Sequence, residues 1–179
     1  MKKISLGIFL MTIFYVTNSQ TAKGDWMVGG RIDLNTGENS TRVGITPAAG
    51  FFVLDKLAIG GNFGYNYTKT GNNKITNFGF GPFARYYFTE AKARPLLHGS
   101  FNYLSAKTKT PVLSSTNNGI NFLLAAGLAV FINENVAIEP LAGYSYTKYK
   151  DFDGSGGFNF GIGFQVYLSK KQVDNMRSK

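Results

Sequence analysis

The chain has 179 residues, enough for one domain and short for two. Hydrophobic residues make up 44%, aromatics 15% and charged residues only 16%, with 22 glycines, a composition that excludes a disordered chain and argues against a helical bundle. The absence of cysteine and the single histidine exclude disulfides, thiolate chemistry and multi-histidine metal sites, and the net charge of +9 reads as solvated lysine on loops and tails.

Residues 1–19 have the form of a secretory signal. Lys2 and Lys3 open it, and Ile4 to Val16 is an uncharged apolar run too short to span a bilayer. Thr17 and Ser19 then offer small residues at the third-last and last positions before a cut. Cleavage is expected after Ser19, leaving Gln20 first. No later apolar run approaches the ~18 residues a transmembrane helix needs.

From Trp26 onward the chain alternates with period two, the signature of strands that send successive side chains to opposite faces. Strand one puts Trp26, Val28, Gly30, Ile32 and Leu34 on its apolar face. Strand two follows with Val43, Ile45, Pro47, Ala49 and Phe51. Strand three carries Leu57, Ile59, Gly61, Phe63, Tyr65 and Tyr67, and strand four carries Phe78, Phe80, Pro82, Ala84, Tyr86 and Phe88. Strand five has Pro95, Leu97, Gly99, Phe101 and Tyr103. Strand six runs from Ile120 to Ile132 in the same rhythm, and strand seven from Val136 to Tyr146. The last strand is the clearest, with Phe158, Phe160, Ile162, Phe164, Val166 and Leu168 at every second position.

Connections alternate as well. Residues 53–56, 89–93 and 133–135 are short turns, whereas 35–42, 68–76, 105–118 and 148–156 read as longer polar loops. Short and long ends in strict alternation describe an up-and-down meander. The apolar face carries no charge anywhere, and the opposite face is mainly Gly, Asn, Ser and Ala. A soluble barrel of lipocalin type would cover its outside with Lys, Glu and Thr. Small and amide residues instead suit a narrow lumen, and aromatics at the strand ends suit the two membrane interfaces. The expected fold is therefore an all-β, eight-stranded, antiparallel up-and-down transmembrane β-barrel over residues 20–168, in the outer membrane. A soluble lipocalin-like binding barrel is the alternative. Pro47, Pro82, Pro95 and Pro140 fall inside strands and predict local bulges or lost ladder bonds in the periplasmic half.

The segments GDWMVGG (24–30), VLDKLAIGGNFGYNY (53–67), GPFARYYF (81–88) and FINENVAIEPLAGYSY (131–146) resemble the small outer-membrane β-barrel family common in Bacteroidota. That family is similar in architecture to OmpX-type and OmpA-type barrels. The resemblance implies an assembly signal in residues 159–166, carried by Asn159, Gly161, Phe164 and Val166 and read by the outer-membrane assembly machinery. Such a signal usually ends the chain. Here residues 169–179 follow as a polar periplasmic tail, expected to be disordered.

The charged residues of the inner face are the candidates for chemistry. Arg85, Glu139 and His98 fall at similar depth near the periplasmic end, where an unpartnered charge would be costly. They predict a lumen polar network, which Arg31 and Asp33 extend higher in strand one. His98 has Ser100 two residues along its face but no Asp nearby, so a nucleophilic triad is not expected. No catalysis, cofactor or metal is expected, and no nucleic acid. The expected partners are outer-membrane lipid, lipopolysaccharide facing Lys107, Lys109, Lys148 and Lys150, and the assembly machinery, around a monomer. An eight-stranded interior is just wide enough for side chains to fill it. The function expected is structural or narrow-pore, with surface adhesion or ligand binding through residues 105–118 and 148–156 as the alternative.

Overall fold

An apolar outer face is stable only in lipid, and lipid offers no partner to backbone N–H and C=O groups. Strands in that setting must pair on both sides, which closes the sheet. The computed structural model describes residues 20–37, 40–71, 73–110 and 114–178, and it has this closed form. Its strands are β1 (Trp26–Gly37), β2 (Ser40–Leu54), β3 (Leu57–Thr70), β4 (Asn73–Tyr87), β5 (Ala93–Lys109), β6 (Ser114–Phe131), β7 (Val136–Tyr149) and β8 (Ser155–Leu168). They form one closed barrel in sequence order, every neighbour antiparallel. β8 returns to β1, pairing Leu168 to Ile162 with Trp26 to Ile32. The expected signal, with its cut after Ser19, lies outside the described residues.

The face assignment follows the alternation. Ile32, Phe80, Leu124, Phe158, Phe160 and Ile162 point outward and are between 58% and 79% exposed. Met27, Phe52, Tyr87, Leu96, Ala129 and Tyr167 point inward and are almost fully buried. The outward side is the greasy one, so the soluble lipocalin-like alternative has the wrong side facing water.

Two expectations need correction. Strand extends into the expected long loops, while residues 150–154 remain a turn. β5 and β6 have 17 and 18 residues, and their hairpin pairs Lys109 with Ser114. Of the stretch 35–42, residues 35–37 and 40–42 belong to β1 and β2, which pair Gly37 with Ser40. Backbone pairing continues where the apolar pattern stops, because a ladder does not require greasy side chains. The tail is not disordered but folds, over Lys170–Arg177, as a helix that we call α1. Ser169 caps it in a reciprocal capping box with Gln172, and Asn135 donates to the Gln172 Oε1 at 3.1 Å.

At the prolines the ladder loses pairs without bulging. Ile45 pairs with Tyr65 and the pairing resumes at Ala48 with Asn62, which skips Pro47. Phe80 pairs with Tyr103 and resumes at Phe83 with Ser100, which skips Pro82. Gly127 pairs with Leu141 and resumes at Val130 with Ile138, which skips Pro140. The register is the same on both sides of each gap. Each of these prolines keeps its pairing to the other neighbouring strand, opposite Gly30, Gly61 and Ile162 respectively.

One such gap brings backbones close. A Cβ on Gly81 would collide with the Phe101 carbonyl and stand 2.8 Å from the Asn102 Cα. A Cβ on the outward Gly99 would meet nothing within 4 Å. Gly81→Ala is therefore expected to cost about 1–3 kcal/mol through overpacking, and Gly99→Ala to stabilise slightly through the unfolded chain. Urea unfolding of both variants in detergent checks the contrast.

Candidate functional site

Parity on four strands builds the site. β4 turns Phe83, Arg85 and Tyr87 inward, β5 turns Arg94, Leu96 and His98, β7 turns Glu139, and β8 turns Gln165 and Tyr167. Register places Arg85 beside His98 on the neighbouring strand. Glu139 reaches them across the lumen from β7.

The Glu139 carboxylate is completely buried and is the hub. Arg85 Nη1 donates to Glu139 Oε2 at 2.5 Å, and the Tyr167 hydroxyl donates to Oε1 at 2.5 Å. The Tyr87 hydroxyl lies 2.7 Å from that of Tyr167 and 3.4 Å from Glu139 Oε1. Arg85 Nε donates to His98 Nδ1 at 3.3 Å. His98 also packs against the Phe83 ring, at a centroid distance of 5.5 Å. The sequence expectation of one cluster thus covers Arg85, Glu139 and His98 but not Arg31 and Asp33. Those two pair with each other at 3.0 Å, half-buried, against Gly161. Among the described residues no hydrogen bond or ion pair joins them to Arg85. Tyr87 and Tyr167 were missed. Both have inward parity, and a hydroxyl on an inward ring at the depth of two charges is the signal that points to them.

Beneath this layer lies an apolar disc. Met27, Phe52, Ala58, Leu96, Ala129, Phe131 and Ala137 are buried together. Their rings interlock with the tyrosines: Phe131 and Tyr167 centroids are 4.9 Å apart, Phe52 and Tyr87 5.8 Å. Arg94 stacks over Phe131 at 4.1 Å, and its guanidinium donates to the Ala91 carbonyl and the Thr21 hydroxyl. Residues 20–25 finish the closure. Lys56 N–H donates to the Thr21 carbonyl at 2.7 Å, Gly24 N–H to Phe52, and Phe52 N–H to Asp25. The Asp25 carboxylate accepts from Ala22 N–H and Lys170 N–H, tying this segment to α1.

Above the layer a cavity of about 560 Å³ runs toward the hairpin ends opposite the termini. Its walls carry Asn62, Asn66, Asn102, Asn121, Ser145 and Thr147, with Arg85, His98 and Gln165 low in it. The lumen is a well, open at one end. No nucleophile and base are paired there: Ser100 Oγ accepts from Asn102 at 3.2 Å, and among the described residues no hydrogen bond joins it to His98. The residues expected to form the assembly signal all lie on β8. Asn159 donates to Ser145 Oγ at 2.7 Å, Gly161 faces Arg31, and Phe164 is exposed on the outer face.

Comparison with known proteins matches residues 53–172 to the family described as outer membrane protein β-barrel domain. Solved structures share the fold. Neisserial surface protein A superposes with a TM-score of 0.57 at 17% identity, over 79% of this chain and 93% of that one. The N-terminal β-barrel domain of Pseudomonas aeruginosa OprF gives 0.59 at 12%, over 82% and 98%. The Yersinia pestis outer membrane protein Ail, in a phospholipid nanodisc, gives 0.53 at 14%, over 82% and 99%. No curated protein matches significantly.

Proposed function

Because the chain belongs to the outer membrane protein β-barrel domain family and is an outer-membrane barrel, we propose that it works there as a closed structural barrel, without catalysis and without a through-pore. The observation that carries this is the layered seal: a fully buried Glu139 held by Arg85 and Tyr167, over the disc of Met27, Phe52 and Phe131. A solute entering the well meets a bonded ion pair and then packed rings. Residues 1–19 act as the export signal, cut after Ser19. The termini then lie on the periplasmic side, and the well opens outward. β8 carries the assembly signal at Asn159, Gly161, Phe164 and Val166. The barrel is a monomer. The exposed Lys107, Lys109, Lys148 and Lys150 sit at the hairpin ends and face lipopolysaccharide.

Since the chain has no cysteine, a single introduced thiol tests this topology. Ser100→Cys should be labelled in intact cells by a small impermeant maleimide, and Leu96→Cys, inside the seal, should not. Equal labelling of the two would contradict an outward well above a closed floor.

A second reading is favoured by one observation. Crossing a bilayer takes a β-strand about 9–11 residues, and β5 and β6 have 17 and 18. Their hairpin therefore stands above the membrane and offers a contact surface. The similar fold of Ail, whose crystal form is described as the attachment invasion locus protein, supports adhesion as the rival. Shortening that hairpin should leave the barrel folded and abolish cell attachment if adhesion is its role.

A further inference from the structure

An eight-stranded barrel is narrow enough for its own side chains to fill it, yet about 560 Å³ stays open above the ion pair. The inner glycines keep it open. Long inward side chains lie flat over a glycine of a neighbouring strand instead of reaching across the lumen. The Gln165 amide lies over Gly29 and the Asn66 amide over Gly44, where a Cβ would collide with either side-chain oxygen. The Phe83 ring covers Gly60 and the Leu104 side chain covers Gly79, each 2.6 Å from where a Cβ would stand. The space left falls within the ~300–1,000 Å³ of small-molecule sites.

What the wall offers selects the ligand. Its charged side chains are already paired, Arg31 with Asp33 and Arg85 with Glu139, and His98 accepts from Arg85. A charged ligand would give up its hydration without gaining a free counter-charge. The rest of the polar wall is amide and hydroxyl. Two of its amide oxygens, Asn102 Oδ1 and Gln165 Oε1, are buried and have no hydrogen-bond partner among the described residues. Gln165 is only 1% exposed. Carbonyl oxygens accept, so both call for a ligand that donates. Phe83, Leu123 and Leu141 add apolar surface to the same wall. A sugar ring combines these two needs, with hydroxyl donors around its edge and C–H groups on its face. We propose that the well is a binding site for a neutral mono- or disaccharide, whose hydroxyls donate to Asn102 and Gln165 and whose C–H face lies against Phe83. This adds a binding role to the structural one, and it holds whichever way the well opens.

Saturation-transfer NMR on the folded protein tests this, in amine-oxide micelles because they carry no sugar headgroup. The probes are a panel of neutral mono- and disaccharides, with a uronic acid and an amino sugar beside them. The expected result is transfer to the ring protons of a neutral sugar and much less to its charged relatives. Gly64→Phe fills the well: Gly64 lines it, and a Cβ there meets its nearest neighbour at 3.7 Å, an ordinary contact. That variant should keep heat-modifiable gel mobility and lose the transfer. Asn102→Ala should weaken binding about fivefold, as the loss of one hydrogen bond. No transfer to any neutral sugar, or equal transfer with the parent and the folded Gly64→Phe variant, would overturn the site. Preference for a charged sugar would overturn the neutral ligand. Should Gly64→Phe not fold, Asn102→Ala decides, and affinity unchanged from the parent would equally overturn the proposal.

Discussion

Arg85→Ala and Glu139→Ala are each expected to destabilise the barrel by about 3–5 kcal/mol, the cost of leaving one member of a dry ion pair without the other. The two sites are on strands that do not touch, so the loss is not one of local strand propensity. Glu139 keeps the Tyr167 hydroxyl when Arg85 is removed, but it stays fully buried. Arg85 keeps His98 and Tyr87 when Glu139 is removed, and it lines the well. Water from above therefore pulls the Glu139→Ala cost toward the lower end of that range. The double variant should lose less than the sum of the singles, because the second substitution removes the charge stranded by the first. Tyr167→Phe is a milder probe, expected to cost about 1.5–3 kcal/mol as the loss of one hydrogen bond to a charged group. Urea unfolding in detergent micelles measures all four. Strictly additive losses would mean that the 2.5 Å contact contributes nothing to the folded state.

The other large effect concerns the disc. Phe52 and Phe131 both pack against Tyr167, with centroid distances of 6.3 and 4.9 Å. Truncating both rings to alanine removes the packing that closes the lumen below the ion pair. Buried Phe→Ala substitutions cost about 3–5 kcal/mol each, part of it for the cavity left behind. Here the two cavities adjoin the well through Tyr167. The expected result is a barrel that still shows heat-modifiable mobility on gels but admits small ions that the parent excludes. Conductance unchanged from the parent, in a variant whose barrel is intact, would place the closure elsewhere.

The barrel was legible because membrane burial enforces one rule along every strand. An uncharged face at every second position along each strand excludes a helix, and the small and amide residues of the opposite face favour a lumen over a soluble outer surface. The hairpin ends were not legible. Lys107, Thr108 and Thr116 are polar on both faces and look like loop, yet their backbones stay paired. The helix after β8 has only Val173 and Met176 as apolar residues, and its readable sign was the cap spacing of Ser169 and Gln172. In the site, parity and depth were enough to bring Arg85, His98 and Glu139 together. They could not separate Arg31 and Asp33, since two oppositely charged residues two apart on one strand satisfy each other. The strap of residues 20–25 has no periodicity at all. Its place depends on Thr21 and Asp25 meeting Lys56, Arg94 and Lys170, and those contacts exist only after the barrel has closed.

A structural barrel and a pore differ in whether the lumen is shut. The most direct measurement is single-channel recording of the mature parent protein in planar bilayers, in high salt and with the barrel's insertion verified. The layered seal predicts a silent protein, with steps appearing only when Phe52 and Phe131 are both truncated. Regular conductance steps from the parent itself would contradict it.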